Sequence, residues 1–182
     1  RDWMIPGKGR GTTLPYFDDK YAVFEGNRFD VNDATKLSNA SHIEVVYMSG
    51  DANQSEASVL ELNTSDVCLL ARGAIGPNGK NQNRQGRWFK KAIIKGIPIA
   101  ISVNIEDKIN MMPYVNGILW NNPDKGVVWN KMNKNGFGVN GWYDSAAHKF
   151  FGRIYCVRLY SRHLTDVEIA DNYAIDKVRF GL

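Results

Sequence analysis

The chain has few of the residues that catalytic and metal chemistry depend on. There are two cysteines in 182 residues, Cys68 and Cys156, and both have apolar neighbours, Val67-Cys-Leu-Leu70 and Tyr155-Cys-Val157. A cysteine in such company behaves as a small buried hydrophobe. Neither has a Cys or His at zinc-ligand spacing, which argues against a metal site built on them. Whether the two are paired stays open, because a disulfide depends on Cα separation rather than on spacing. The three histidines, His42, His148 and His163, have no Ser or Cys placed to suggest a triad. No His-x-x-x-His and no Gly-x-x-x-x-Gly-Lys-Ser/Thr motif occurs.

Long apolar runs are also missing. The longest candidate, Ile93 to Ile105, is interrupted by Lys95, Pro98 and Asn104, well short of the roughly 20 residues that a membrane helix needs. No membrane insertion is expected. The charge excess is slight, 23 basic against 19 acidic side chains for a net +4. That produces weak attraction to anions and gives no ground for nucleic-acid binding. The chain opens at Arg1 rather than at a methionine, so we expect it to be a piece excised from a larger protein. Neither an internal repeat nor a domain linker is visible, and residues 1–182 read as one domain.

Short strand signals punctuated by turn residues fill the rest, the pattern of an all-β sandwich. Ile97, Ile99, Ile101, Val103 and Ile105 alternate with Pro98, Ala100, Ser102 and Asn104, as in a strand with one apolar face. Ile109 to Trp120 then folds back through Asn116-Gly117, a dipeptide suited to a type I′ hairpin turn. Residues 76–86 contain no aliphatic side chain and read as an exposed loop. The basic cluster Lys80, Arg84, Arg87, Lys90, Lys91 and Lys95 reads as solvated charge. Near the C-terminus, Val157 and Leu159 fall out of phase with Ile154. Either a β-bulge near Tyr155 or burial of both faces would account for this. Thr165 and Glu168 have the spacing of a capping box, with Leu164 and Ile169 placed as a hydrophobic staple and Tyr173 at i+4 from Ile169. One or two turns of helix are expected there, docked against the sheet.

The run Phe151 to Tyr173 resembles the closing signature of the laminin-G-like branch of the concanavalin A-like lectin/glucanase superfamily. It carries Phe151, Gly152 and Ile154, then Val157-Arg158-Leu159-Tyr160, Leu164-Thr165, Glu168-Ile169-Ala170 and Tyr173. His42 to Met48 is similar to that family's early core strand, Tyr114 to Gly117 to its central hairpin, and Gly136 to Gly141 to its glycine-rich strand. The resemblance implies an antiparallel two-sheet jelly roll with one short C-terminal helix. Glucanases of the superfamily carry a Glu-x-Asp-x-Glu triplet on one strand, where alternate carboxylates share a face. This chain has none: Glu106 and Asp107 are adjacent, and Glu56 and Glu61 are separated by apolar residues. Catalysis is therefore not expected.

Recognition chemistry is better represented. Trp120-Asn121, Trp129 and Asn140-Gly-Trp142-Tyr143-Asp144 set large aromatics beside amides and carboxylates. Sugar C–H faces stack on aromatic rings while hydroxyls need fixed donors and acceptors; packing at the sandwich edge is the alternative role for the tryptophans. The candidate ligand-binding residues are Trp142, Tyr143, Asn140, Asp144, Trp120, Asn121 and Trp129. The expected partner is a glycan or cell-surface polysaccharide, with the parent protein secreted, on a cell surface or in a phage virion. A structural or protein-binding jelly roll is the rival function, homo-oligomerisation through the parent is compatible with either, and a glycoside hydrolase or lyase is the third class. Relatives of this type often bind Ca²⁺, the one cofactor the resemblance implies. Asp18, Asp19, Asp30, Asn32 and Asp33, or Asp124 and Asp144, would supply oxygens, although the Asp-Asp pair that relatives often carry after Phe24-Glu-Gly26 is absent.

Overall fold

The computed structural model describes residues 4–6, 16–18, 20–26, 29–31, 41–50, 58–62, 67–70, 74–76, 94–105, 111–120, 137–139 and 149–182. They form thirteen strands and one helix: β1 (Met4–Pro6), β2 (Tyr16–Phe17), β3 (Ala22–Glu25), β4 (Phe29–Val31), β5 (His42–Ser49), β6 (Ser58–Leu62), β7 (Val67–Leu70), β8 (Ala74–Gly76), β9 (Ile99–Ile105), β10 (Met111–Val115), β11 (Ile118–Leu119), β12 (Phe137–Val139), β13 (Phe151–Tyr160) and α1 (Asp166–Phe180). One sheet has the order β1-β4-β12-β6-β7-β8 and the other β11-β10-β9-β5-β13-β3-β2. Every pairing is antiparallel, the all-β sandwich that the sequence predicts.

The seven-stranded sheet is buried at its centre on both faces. In β5, Ile43, Val45 and Tyr47 point inward and are at most 1% exposed, while His42, Glu44 and Val46 on the opposite face are also buried, at most 5% exposed. Phe24, Phe150, Ile101 and Val103 extend the inner core. On β9 the polar members of the alternation, Ser102 and Asn104, are buried too, because α1 lies over that outer face. The strand begins at Ile99 rather than Ile97, which is exposed.

Both explanations for the phase change in β13 hold. The register against β5 slips between Ile154 and Cys156, so Tyr155 is the bulge. Ile154 then pairs with Tyr47, and Val157 with Val45, on the inner face. The outer face is partly covered by α1, with Phe180 5.5 Å from Tyr155 between ring centroids. Gly152 is required where it stands: a Cβ there would run into the Met48 carbonyl oxygen and the Phe150 ring.

The hairpin and the cap follow local chemistry. Asn116 has φ 50° and Gly117 φ 77°, the pair of positive values a type I′ turn demands. The Asn116 side chain accepts the Ala100 N–H at 3.0 Å, and the Asn116 N–H donates to the Ala100 carbonyl at 2.9 Å. At the helix start, Thr165 Oγ1 accepts the Glu168 N–H (3.3 Å) and Glu168 Oε2 accepts the Thr165 N–H (2.9 Å), a complete capping box. Leu164 and Ile169 are both buried with Tyr114, and Tyr173 packs on Gly117.

The helix runs 15 residues, well beyond the one or two turns expected. Its inward stripe is Ile169, Asn172, Tyr173, Asp176 and Phe180, half polar, while Val167, Ile175 and Val178 are exposed. That inversion hides the later turns from any hydrophobic periodicity. Thr165→Ala should cost about 1 kcal/mol through loss of the N-cap, read as a lowered denaturation midpoint; an unchanged midpoint would show that the cap contributes nothing.

Candidate functional site

Two kinds of site come out of this architecture: the sandwich end where strands hand the chain from sheet to sheet, and a buried polar cluster beneath α1. The first follows from connectivity. β3 ends at Glu25 and β4 begins at Phe29, too few residues to cross the sandwich, so β4 starts at the end where β3 finishes. Val139 pairs with Phe29 and Phe151 with Glu25. β12 therefore ends, and β13 begins, at that same end. Asn140, Trp142, Tyr143 and Asp144 lie between them in the chain and outside the described residues, as do Asn121 and Trp129.

Trp120 is described. It is half-buried and its N–H donates to the Pro113 carbonyl at 2.9 Å, continuing the ladder at the β11 edge. Pro113 lies opposite Val103 and Val103 opposite Ile43, whereas Gly152 lies opposite Ser49. Counting strands and residues puts Trp120 roughly 30 Å from the start of β13. Trp120 thus stands at a different corner from Val139 and Lys149, the residues that bracket the Asn140–Asp144 group.

Among the described residues no three His, Cys, Asp or Glu side chains come together as metal ligands. Asp18 hydrogen-bonds the Tyr21 phenol, which is raised by that bond and by burial. Asp30 lies in β4, and Asp19, Asn32, Asp33, Asp124 and Asp144 lie outside the described residues. So do the loop residues 77–86, His148, and Lys80, Arg84, Arg87, Lys90 and Lys91 of the basic cluster; its remaining member, Lys95, is exposed in a turn. Cys156 is a free thiol, half-buried on the helix side of β13; burial pushes its pKa up.

The polar cluster beneath α1 was not anticipated from the sequence. Arg158 reaches from β13 to Asp176 of α1 with two hydrogen bonds of 2.7 and 2.5 Å, and to Glu44 of β5 at 3.2 Å. Glu44 also accepts from Asn172 Nδ2 at 3.0 and 3.2 Å and meets His42 Nε2 at 3.3 Å. His42 Nδ1 lies 2.6 Å from Asn104 Oδ1. The Asn104 amide is itself fixed on the Leu164 backbone, donating to its carbonyl at 2.8 Å and accepting its N–H at 3.1 Å. Tyr114 donates to Asp166 at 2.7 Å, and burial with that carboxylate pushes its phenol up to about 12. Burial alone would raise Glu44, but the hydrogen bonds from His42 and Asn172 and the Arg158 charge outweigh it and hold the carboxyl below its ordinary range.

These groups satisfy one another, and the cavity beside them is about 20 Å³, room for a single water and not for a sugar ring. The cluster is a latch that fastens α1 to three strands. A sequence signal for it exists in retrospect: His42 and Glu44 share a face of β5, Arg158 and Tyr160 share a face of β13, and Asn172 and Asp176 are four apart on α1.

Arg158→Met leaves Glu44 and Asp176 buried without their cation and should destabilise the fold by about 3 kcal/mol. Adding Asp176→Leu should recover part of the loss; a loss below about 1 kcal/mol in chemical denaturation would contradict the latch. Acid should act in the same direction. Glu168, bonded by Arg162 and by the Thr165 N–H, is held down to about 2, and Glu44 is lowered as well. Groups depressed in the fold stabilise it above their unfolded value and lose that contribution as pH falls through the folded one. The denaturation midpoint should therefore decline as pH drops from about 4.5 towards about 2; a flat profile across that window would exclude these carboxylates from the stability of the fold.

No protein-family model and no curated sequence matches the chain. Among solved structures it is similar to domain 4 of AbnA, an extracellular arabinanase of Geobacillus stearothermophilus solved with arabinotriose, at TM-score 0.70 and 16% identity, covering 93% of this chain and 86% of that one. It is similar to a Trypanosoma rangeli sialidase mutant at TM-score 0.67 and 12% identity over 93% of this chain, but spans 30% of the sialidase. It is similar to the receptor-binding domain of botulinum neurotoxin type G at TM-score 0.60 and 14% identity over 96% of this chain, spanning 46% of that domain. At such identities the likeness is one of fold: this chain has the β-sandwich found in an arabinanase domain, a sialidase and a toxin receptor-binding domain.

Proposed function

We propose that the chain is a non-catalytic carbohydrate-binding module of the laminin-G-like kind, one domain of an extracellular, cell-surface or virion protein. The observation that carries this reading is the near full-length match to domain 4 of the arabinanase, a domain solved in complex with arabinotriose. The absence of the glucanase carboxylate triplet from the sequence supports the non-catalytic part. So does the engagement of Glu44 and Asp176, the two buried carboxylates of α1 and its sheet, by Arg158.

The sugar-binding residues in this reading are Trp142, Tyr143, Asn140 and Asp144, between two strand ends on a rigid sandwich where connecting segments carry recognition. Trp120, Asn121 and Trp129 are the second choice. A protein-binding role has one observation in its favour, the exposed apolar side chains Val167, Ile175 and Val178 on α1.

A glycan array probed with the chain separates these readings. Binding to a defined set of glycans is expected, with Trp142→Ala abolishing it while the unfolding transition stays near wild type. Unfolding by the substitution would assign Trp142 to the core. Retained binding with an intact fold would move the site to the Trp120 and Trp129 segments.

A further inference from the structure

We propose that the outer face of β2, β3 and β13 is a binding surface for a carboxylate-bearing sugar. The proposal rests on the carbohydrate-binding reading and adds to it a second surface and a ligand class. Strand register defines the surface. Tyr16 lies opposite Val23, Val23 opposite Arg153, and Arg153 opposite Met48, so these four form one row across four strands on the side of the sheet that carries α1. The helix ends before this row, with Phe180 against Tyr155.

Tyr16 is 58% exposed, and the smaller, half-buried Val23 stands between Tyr16 and Arg153, whose Cα atoms are about 10 Å apart across two strand spacings. That gap takes one pyranose ring with its C–H face against Tyr16.

Arg153 is set for an anion. Its guanidinium carbon lies 4.4 Å from the Tyr21 ring centroid, and Tyr21 is braced edge-on by Tyr155 at 5.2 Å. The Asp18 N–H bonds the Tyr21 carbonyl at 2.9 Å, and the Asp18 side chain bonds the Tyr21 phenol. A cation–π contact of this kind restrains the guanidinium without consuming its N–H donors. Among the described residues no carboxylate pairs with Arg153, in contrast to Arg158 and Arg162. A rigid, unspent fork of donors matches a carboxylate through two parallel hydrogen bonds. A protein partner would need a broader apolar area than this row presents.

The test is calorimetric titration of the chain with oligogalacturonate, its methyl ester and sialyllactose, alongside the neutral glycans of the array. Wild type should prefer an acidic probe to its neutral counterpart. Arg153→Gln should weaken that probe about tenfold, the scale of a lost charge-assisted pair, and leave the methyl ester unchanged. Arg153→Lys should recover only part, and Tyr16→Ala should weaken acid and ester alike. The relative strength of oligogalacturonate and sialyllactose distinguishes a polysaccharide uronate from a terminal sialate. Equal affinity for acid and ester, or unaltered acid binding in a folded Arg153→Gln, overturns the proposal; if neutral glycans still bind and Trp142→Ala abolishes them, the module reading stands without it. Dimerisation that Arg153→Gln abolishes would reassign the face to a protein contact and overturn it too. Failure of every probe, acidic and neutral, sinks both.

Discussion

The guanidinium of Arg158 is the contact on which the arrangement of the seven-stranded sheet depends. It joins β13 to β5 through Glu44 and to α1 through Asp176, and both carboxylates are nearly sealed from solvent. Two buried carboxylates without a cation would be strongly unfavourable in that position. The strands and the helix are therefore mutually conditional. Asn104, fixed on the Leu164 backbone, and Tyr114, bonded to Asp166, extend the same dependence to the start of the helix. What covers the outer face follows from how far this polar mortise reaches: beyond Phe180, Arg153 rests on Tyr21 and, among the described residues, meets no carboxylate.

Much of the fold was legible where the chemistry is local. A capping box needs Thr165 and Glu168 three apart, a type I′ turn needs Asn116-Gly117, and a bulge betrays itself when Ile154 and Val157 fall out of phase; each is written within a few residues. The later turns of α1 were not legible, because the helix buries Asn172 and Asp176 and exposes Val167, Ile175 and Val178. Hydrophobic pattern reads such a segment as solvent-facing. Its partner surface is polar as well, and the match between the two is made by residues more than a hundred positions apart, as with Glu44 and Arg158.

The candidate site divides on similar lines. The aromatic and amide clusters at Trp120 and at Asn140 to Asp144 stand out as composition, but composition does not say that their flanks belong to different corners of the sandwich. The row Tyr16, Val23, Arg153 and Met48 carries no sequence signature, since strand register alone assembles it from three distant segments. Fold likeness at 12 to 16% identity transmits the scaffold and leaves side chains such as these to the individual chain.

Placing β13 between β5 and β3 has a consequence for biosynthesis. β5 is buried on both faces and flanked by β9 and β13, yet β13 emerges from the ribosome about a hundred residues after it. At ordinary elongation speeds β5 waits on the order of ten seconds with one edge unpaired. During that interval the run His42 to Ser49 is an apolar, strand-forming segment whose open edge can pair wrongly, so the hazard in making this sandwich lies in the order in which its strands are synthesised.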